Sequence, residues 1–164
     1  MLPVLAMALQ VAAAGWPWTG DASPPAHVLK LGQATVIEGR WGGKPARVRI
    51  EQTLVPNCRG ADWLHGAVAD RQDRCTRLSR IEVVVGGKPM TLSSSGYADL
   101  GGVDDVVVRF APTRMIIYMR GPDGPDYYGA TLEFDHSDIV RRKLDLADGG
   151  NEVTTYRPAT SAGP

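Results

Sequence analysis

Two glycine pairs flanked by strand-like segments constrain this chain more than any other feature. Gly-Gly at 42–43 and at 86–87 each separates two segments in which polar and apolar residues alternate. Glycine tolerates the positive φ angles of a two-residue hairpin turn, and alternation is the period of a half-buried strand. The sequence therefore predicts two β-hairpins. Because the flanks of the repeated Gly-Gly-Lys-Pro, at 42–45 and 86–89, share little beyond alternation, we interpret the repeat as convergence rather than duplication.

The glycine turns also fix which residues face each other across each hairpin. The residues on either side of a turn are expected to pair, and the pairs beyond them are apolar or oppositely charged. The pairs expected in the first hairpin are Trp41–Lys44, Glu38–Arg47 and Ile37–Val48. Those expected in the second are Val85–Lys88, Val83–Met90 and Ile81–Leu92.

A third hairpin is predicted around Pro122-Asp123-Gly124-Pro125, joining 114–120 to 126–134. Its expected pairs are Gly121–Asp126, Ile117–Ala130, Met115–Leu132 and Arg114–Glu133. The next strand, 139–146, is expected to set Arg141 opposite Glu133 and Leu144 opposite Ala130. Glu133 would then lie between two arginines on the solvent face.

The chain as a whole predicts an all-β fold, since sequential antiparallel strands form a meander. We expect a single sandwich or partly open barrel of about eight or nine strands. The 19 glycines and 12 prolines favour turns and leave few stretches for a helix, so short helical pieces are expected only within 61–73 and 96–100. The β domain is predicted over 26–157, preceded by an extended leader at 15–25 and followed by a loose tail at 158–164.

The first fourteen residues carry no charge and end in Ala12-Ala13-Ala14. An apolar lead closing on small residues is typical of a secretory signal, although no Lys or Arg precedes the run. The run is too short to span a bilayer, which needs about 20 apolar residues. We therefore interpret 1–14 as a signal peptide and expect a periplasmic or extracellular protein without a membrane span. The alternative is a terminal helix that the mature protein keeps.

Cys58 and Cys75 are the two cysteines of the chain. In an exported protein they have one intramolecular pairing available, so a disulfide-stapled loop is predicted between them. Closing it should stabilise the fold by about 3 kcal/mol in the chain-entropy picture. The loop is expected to form a contact surface. The simplest role of the disulfide itself is to hold an insertion in place between two hairpins. A zinc site would need more ligands than two cysteines and His65.

The sequence carries no catalytic, metal-binding or cofactor-binding motif that we recognise. Asp135-His136-Ser137-Asp138 has the composition of a triad, but four adjacent residues in a turn do not adopt triad geometry and are explained by turn chemistry. The aspartates at 99, 104 and 105, or at 123 and 126, match no known calcium-loop spacing. Lys plus Arg and Asp plus Glu both number 18, which gives no electrostatic case for binding nucleic acid.

The remaining functional signal is a set of ring-bearing side chains expected at the surface. The candidate contact residues are Trp41, Trp63, His65 and Tyr127. Such residues suit contact with an envelope protein or a glycan, although each of them equally suits the margin of a small core. We expect a non-catalytic exported protein that binds another macromolecule, such as an inhibitor, an immunity-type protein or an assembly factor. The alternative is a small periplasmic hydrolase or small-ligand carrier with a site assembled from distant residues.

Overall fold

The computed structural model describes residues 24–56, 64–65, 74–122 and 127–156. Within these ranges the chain forms strands and one 3-10 turn (Ser94–Gly96), without an α-helix. The strands are β1 (His27–Val28), β2 (Thr35–Trp41), β3 (Lys44–Pro56), β4 (Arg74–Val85), β5 (Lys88–Pro89), β6 (Asp105–Phe110), β7 (Met115–Arg120), β8 (Tyr128–Phe134), β9 (Ile139–Leu146) and β10 (Asn151–Thr155). The all-β prediction is confirmed.

The strands form two antiparallel sheets and do not close into a barrel. The six-stranded sheet has the order β1-β6-β7-β8-β9-β10, and the four-stranded sheet has the order β2-β3-β4-β5. One hydrophobic cluster draws on both: Val48 and Val83 come from the smaller sheet, and Ile117, Leu132 and Phe134 come from the larger. All five are fully buried, so the apolar faces of the two sheets share a single core.

The first glycine hairpin has the predicted register throughout. Trp41 lies opposite Lys44, and the pairs beyond it, Glu38–Arg47 and Ile37–Val48, are those expected. Gly42 and Gly43 have φ angles of 55° and 77°, the left-handed region that a two-residue hairpin turn requires.

The second glycine hairpin is shorter than predicted, while its strand β4 is longer. Val85 lies opposite Lys88 as expected, and the Met90 amide donates to the Val83 carbonyl at 2.8 Å. The expected Ile81–Leu92 pair is wrong. Before Leu92 could pair, the chain leaves the sheet toward the 3-10 turn, and Ser93 N, just ahead of that turn, donates to Asp138 Oδ1 at 3.4 Å. Ile81 is paired with Ile50 of the other neighbouring strand, β3.

The third hairpin is shifted by two residues from the predicted register. Met115 lies opposite Phe134 and Ile117 opposite Leu132, because the connecting loop is longer than the sequence suggested. Gly121 N donates to Tyr128 O at 2.9 Å, whereas Asp126 was the expected partner. A shift by an even number of residues leaves every side chain on its predicted face, so the core residues are unchanged.

Glu133 lies between two arginines, as predicted, although one of them reaches it diagonally. On β9 it is opposite Arg141, whose Nη1 is 3.0 Å from Glu133 Oε1. On β7 its opposite residue is Ile116, so the expected Arg114–Glu133 strand pair is wrong. Arg114 Nη1 nevertheless lies 3.1 Å from Glu133 Oε2.

Several predictions fall outside the described residues. They concern the signal peptide at 1–14, most of the leader at 15–25, the tail at 158–164, Trp63 and Cys58. The disulfide therefore stays a prediction; Cys75 is buried in β4 opposite Val55. The described part of the chain contains no helix that is both long and apolar enough to cross a membrane.

Candidate functional site

The two Gly-Gly-Lys-Pro turns lie side by side at one end of the four-stranded sheet. β3 begins directly after the first turn, and β4 ends directly before the second turn. The two strands are neighbours, with Ala46 opposite Val85. Gly86 N donates to Pro45 O at 2.8 Å and joins the two turns directly. Since each turn is followed by a lysine, the repeat sets two cations at the same end of the sheet.

A turn from the other sheet packs against the first glycine turn. His136, in the β8–β9 connection, stacks on Trp41 with ring centroids 4.6 Å apart and 24° between the ring planes. A Cβ added at Gly42 would lie 3.1 Å from His136 Cε1, so the imidazole also crowds the turn itself. The end of β2 and the β8–β9 turn are therefore in direct contact.

Asp135 holds the β8–β9 turn in shape. Its Oδ1 accepts hydrogen bonds from Ser137 N at 2.7 Å, Ser137 Oγ at 2.6 Å and Asp138 N at 3.2 Å. Partial burial acts to raise the pKa of Asp135, but the bonds from Ser137 and Asp138 and the charge of Arg114 outweigh it and leave the pKa below 3.8. The interpretation of 135–138 as turn chemistry is thus confirmed, and the turn fixes where His136 points.

The three turns enclose an open cleft of about 530 Å³, which we call the hairpin-end cleft. Its lining includes Trp41, Lys44, Val85, Lys88, Met90 and His136. None of the described residues that line it is acidic, and neither lysine forms an ion pair with a described carboxylate. The cleft therefore combines an apolar wall with two lysines that form no ion pair among the described residues.

The predicted contact residues do not gather at this cleft. Trp41 lines it but has an exposed fraction of zero, so the expectation of an exposed ring is wrong and the alternative, a place in the core, is confirmed: His136 and the core cover it. Its Nε1 is buried without a hydrogen-bond partner among the described residues. Tyr127 is half-buried beside Tyr118, whose pKa is raised by burial and by the hydrogen bond to Tyr127. Trp63 lies outside the described residues.

His65 belongs to a separate cluster with Asp99 and Arg142. Its Nε2 lies 3.7 Å from Asp99 Oδ2, which accepts a 2.7 Å hydrogen bond from Arg142 Nη2. The backbone is tied as well: His65 N donates to Asp99 O at 2.9 Å and Gly101 N to His65 O at 2.8 Å. No hydroxyl or thiol of the described ranges is hydrogen-bonded to His65. The cluster therefore attaches the 64–65 segment to the strand connection before β6.

Tyr128 completes that attachment from the core side. Its hydroxyl donates to Gly101 O at 2.7 Å, and its ring centroid is 6.3 Å from that of His65. Burial raises the pKa of Tyr128 far above its ordinary value, so the phenol stays protonated and acts as a donor. The arrangement stabilises the fold, and its described residues include no activated nucleophile.

A second cleft, of about 640 Å³, lies along the seam between β2 and β6. Its lining includes Glu38 as well as Arg40 and Arg109, so charges of both signs meet there. Phe110 packs over Gly39 at the same seam and ties the two sheets together. This cleft lacks the single-sign charge of the hairpin-end cleft.

Comparison with known proteins finds no matching family model, no matching curated protein and no matching solved structure. The site therefore rests on geometry, and sequence reasoning missed its main residues, Lys44, Lys88 and His136. A signal for the lysines was present, because the repeated tetrapeptide places one after each turn. The contact between His136 and Trp41 joins different sheets, and no local pattern reports it.

Proposed function

We propose that this chain is a non-catalytic exported protein that binds another macromolecule through the hairpin-end cleft. The observation that carries the proposal is the convergence of three turns from both sheets around Lys44, Lys88 and the His136–Trp41 stack. Turns held at one end of a rigid β scaffold are a common place for binding residues. The cleft is open, which suits a protruding part of a large partner.

Binding is favoured over hydrolysis by the way the titratable groups are used. Asp99 is paired with Arg142, and Asp105 is paired with Arg120. Asp135 is engaged by its own turn, and His65 is held by backbone hydrogen bonds. These groups have structural partners, whereas the two cleft lysines have none among the described residues. A charged side chain without an ion-pair partner of its own can pair with an opposite charge on a binding partner.

Export and the disulfide are part of the same proposal. The apolar lead with Ala12-Ala13-Ala14 supports export, and the position of Cys75 supports the bridge. The β3–β4 ladder ends at Pro56 opposite Arg74. Cys75 is therefore the first paired residue inside the ladder end, and Cys58 follows two residues after Pro56. In sequence, Cys58 and Cys75 therefore each lie within two residues of the last pair of this ladder.

Affinity capture from an envelope extract tests the proposal. Immobilised mature protein should retain a partner that the Lys44→Gln, Lys88→Gln double variant loses. The matched control removes the chain's other two lysines, Lys30 and Lys143, by the same substitution, and should retain the partner. Equal capture by wild type, cleft variant and control would place binding elsewhere. Turnover of a substrate by the purified protein would overturn the non-catalytic assignment.

A further inference from the structure

The hairpin-end cleft has the charge of a site for an anion. Lys44 and Lys88 line it together with His136, without an acidic residue among its described lining. The nearest carboxylates along the chain, Asp135 and Asp138, accept backbone N–H bonds within the β8–β9 turn and at Ser93. Both carboxylates keep their negative charge but are directed at these local donors, and neither belongs to the described lining, so the formal charges on that lining are those of Lys44 and Lys88.

The shape of Lys44 directs this charge toward the second turn. A Cβ added at Gly86 would lie 3.3 Å from Lys44 Cδ, so the aliphatic part of the lysine lies against that glycine. Its methylenes cover the turn while the ammonium stays in solvent, which is the usual behaviour of a lysine beside apolar surface. Lys88 directly follows the same turn, so both lysines belong to the part of the cleft lining beside it.

The rest of the lining suits a polypeptide better than a sugar. Val85, Pro89 and Met90 form an apolar wall that suits the methylenes and aliphatic neighbours of an acidic side chain. A sugar ring would need an exposed aromatic face for stacking, and the indole of Trp41 is covered by His136. The cleft thus offers point charges beside an aliphatic surface.

We propose that the hairpin-end cleft recognises an acidic peptide segment, with a carboxylate bound between Lys44 and Lys88 and an aliphatic side chain against Val85 and Met90. This inference rests on the proposed function and names the chemistry of the partner. The recognition is a charge pairing at an exposed site, so each lysine contributes modestly and ionic strength weakens both.

Fluorescence anisotropy with a labelled peptide of alternating glutamate and leucine tests the proposal. The peptide should bind the mature protein, and the same peptide with glutamine in place of glutamate should not. Lys44→Gln and Lys88→Gln should each weaken binding by about two- to fivefold, the range of an exposed ion pair. Lys30 lies in the β1–β2 connection, which is hydrogen-bonded to Gln52 near the other end of β3, so Lys30→Gln should leave peptide affinity unchanged. Salt at about 1 M, where the screening length is about 3 Å, should abolish binding.

Charge reversal provides the sharper arm of the experiment. The Lys44→Glu, Lys88→Glu variant should lose the glutamate peptide and bind a peptide of alternating lysine and leucine. Equal affinity of wild type for the glutamate and glutamine peptides would overturn the inference, as would unchanged affinity in the cleft variants. If those peptides fail while capture of the extract partner still depends on Lys44 and Lys88, the acidic-peptide inference is wrong and the proposed function stands. If capture is also independent of both lysines, the proposed function fails with it.

Discussion

The imidazole of His136 and the indole of Trp41 stack at a centroid distance of 4.6 Å, and this contact joins the two sheets at the mouth of the cleft. Trp41 ends β2 of the four-stranded sheet, whereas His136 belongs to the β8–β9 turn of the other. The exposed histidine shields the buried tryptophan from solvent. The binding end of the molecule is therefore also a point where the two sheets hold each other.

Removing the imidazole should destabilise the protein. We expect His136→Ala to lower the free energy of unfolding by about 0.5–1.5 kcal/mol, the range of an aromatic pair, because it uncovers the indole. His136→Phe keeps a ring over Trp41 and should recover most of the loss. Urea denaturation of the three proteins measures both effects, and an alanine variant as stable as wild type would show that the stack contributes nothing.

Gly101 should tolerate no side chain. A Cβ there would lie 2.5 Å from the carbonyl oxygen of Thr76 and 2.9 Å from Leu64 Cγ, and a backbone atom cannot move aside as a flexible side chain does. We expect Gly101→Ala to cost about 1–3 kcal/mol in thermal or urea unfolding. Gly150→Ala is the matched control, since its Cβ would first meet the flexible carboxylate of Asp148. Equal stability of the two variants would contradict the packing at Gly101.

The β8–β9 turn should weaken in acid. Because the folded-state pKa of Asp135 lies below its ordinary value of 3.8, its contribution to stability is fully present above that value. It is lost as the pH falls through the lower folded-state pKa. The stability difference between wild type and Asp135→Ala should therefore be constant near neutral pH and shrink below about pH 4. A difference that grows with acidification would mean that the carboxylate is not the form that the turn binds.

The predicted disulfide should be present in the exported protein. Mature protein denatured without reductant should resist thiol alkylation at both cysteines, and mass spectrometry should show the peptides of Cys58 and Cys75 linked. Cys58→Ser with Cys75→Ser should lower stability by about 3 kcal/mol in the chain-entropy picture, while the circular dichroism keeps its β signature. Alkylation of both cysteines in the unreduced mature protein would refute the bridge.

Strand register could be predicted from the sequence only where a short turn beside the paired residues sets it. The Gly42-Gly43 turn admits one register, and the pairs Glu38–Arg47 and Ile37–Val48 followed from it correctly. The loop after Gly121 left its own length open, so that register was wrong by two residues even though Ile117 kept its face. The alternation of polar and apolar residues specifies the face of the strand on which each side chain lies, whereas only a tight turn specifies its cross-strand partner.

The candidate site was harder to predict because its parts come from three separate turns. Trp41 was expected at a hairpin tip and in contact with solvent. The strand alternation that buries Ile37 also buries Trp41 on the same face of β2, and a turn from the other sheet then covers it. The sequence shows that Lys44 and Lys88 each directly follow a Gly-Gly turn. Their approach depends on β3 and β4 being neighbours, which is a property of the assembled sheet.

Site-specific photo-crosslinking tests the central claim, that a partner binds at the hairpin-end cleft. A photoreactive phenylalanine derivative replaces Thr91, an exposed lining residue, and in a second protein it replaces Leu54, an exposed residue near the opposite end of β3. Irradiation in an envelope extract should give an adduct from position 91 that disappears in the Lys44→Gln, Lys88→Gln background, and none from position 54. An adduct from position 54 without one from position 91 would contradict the account.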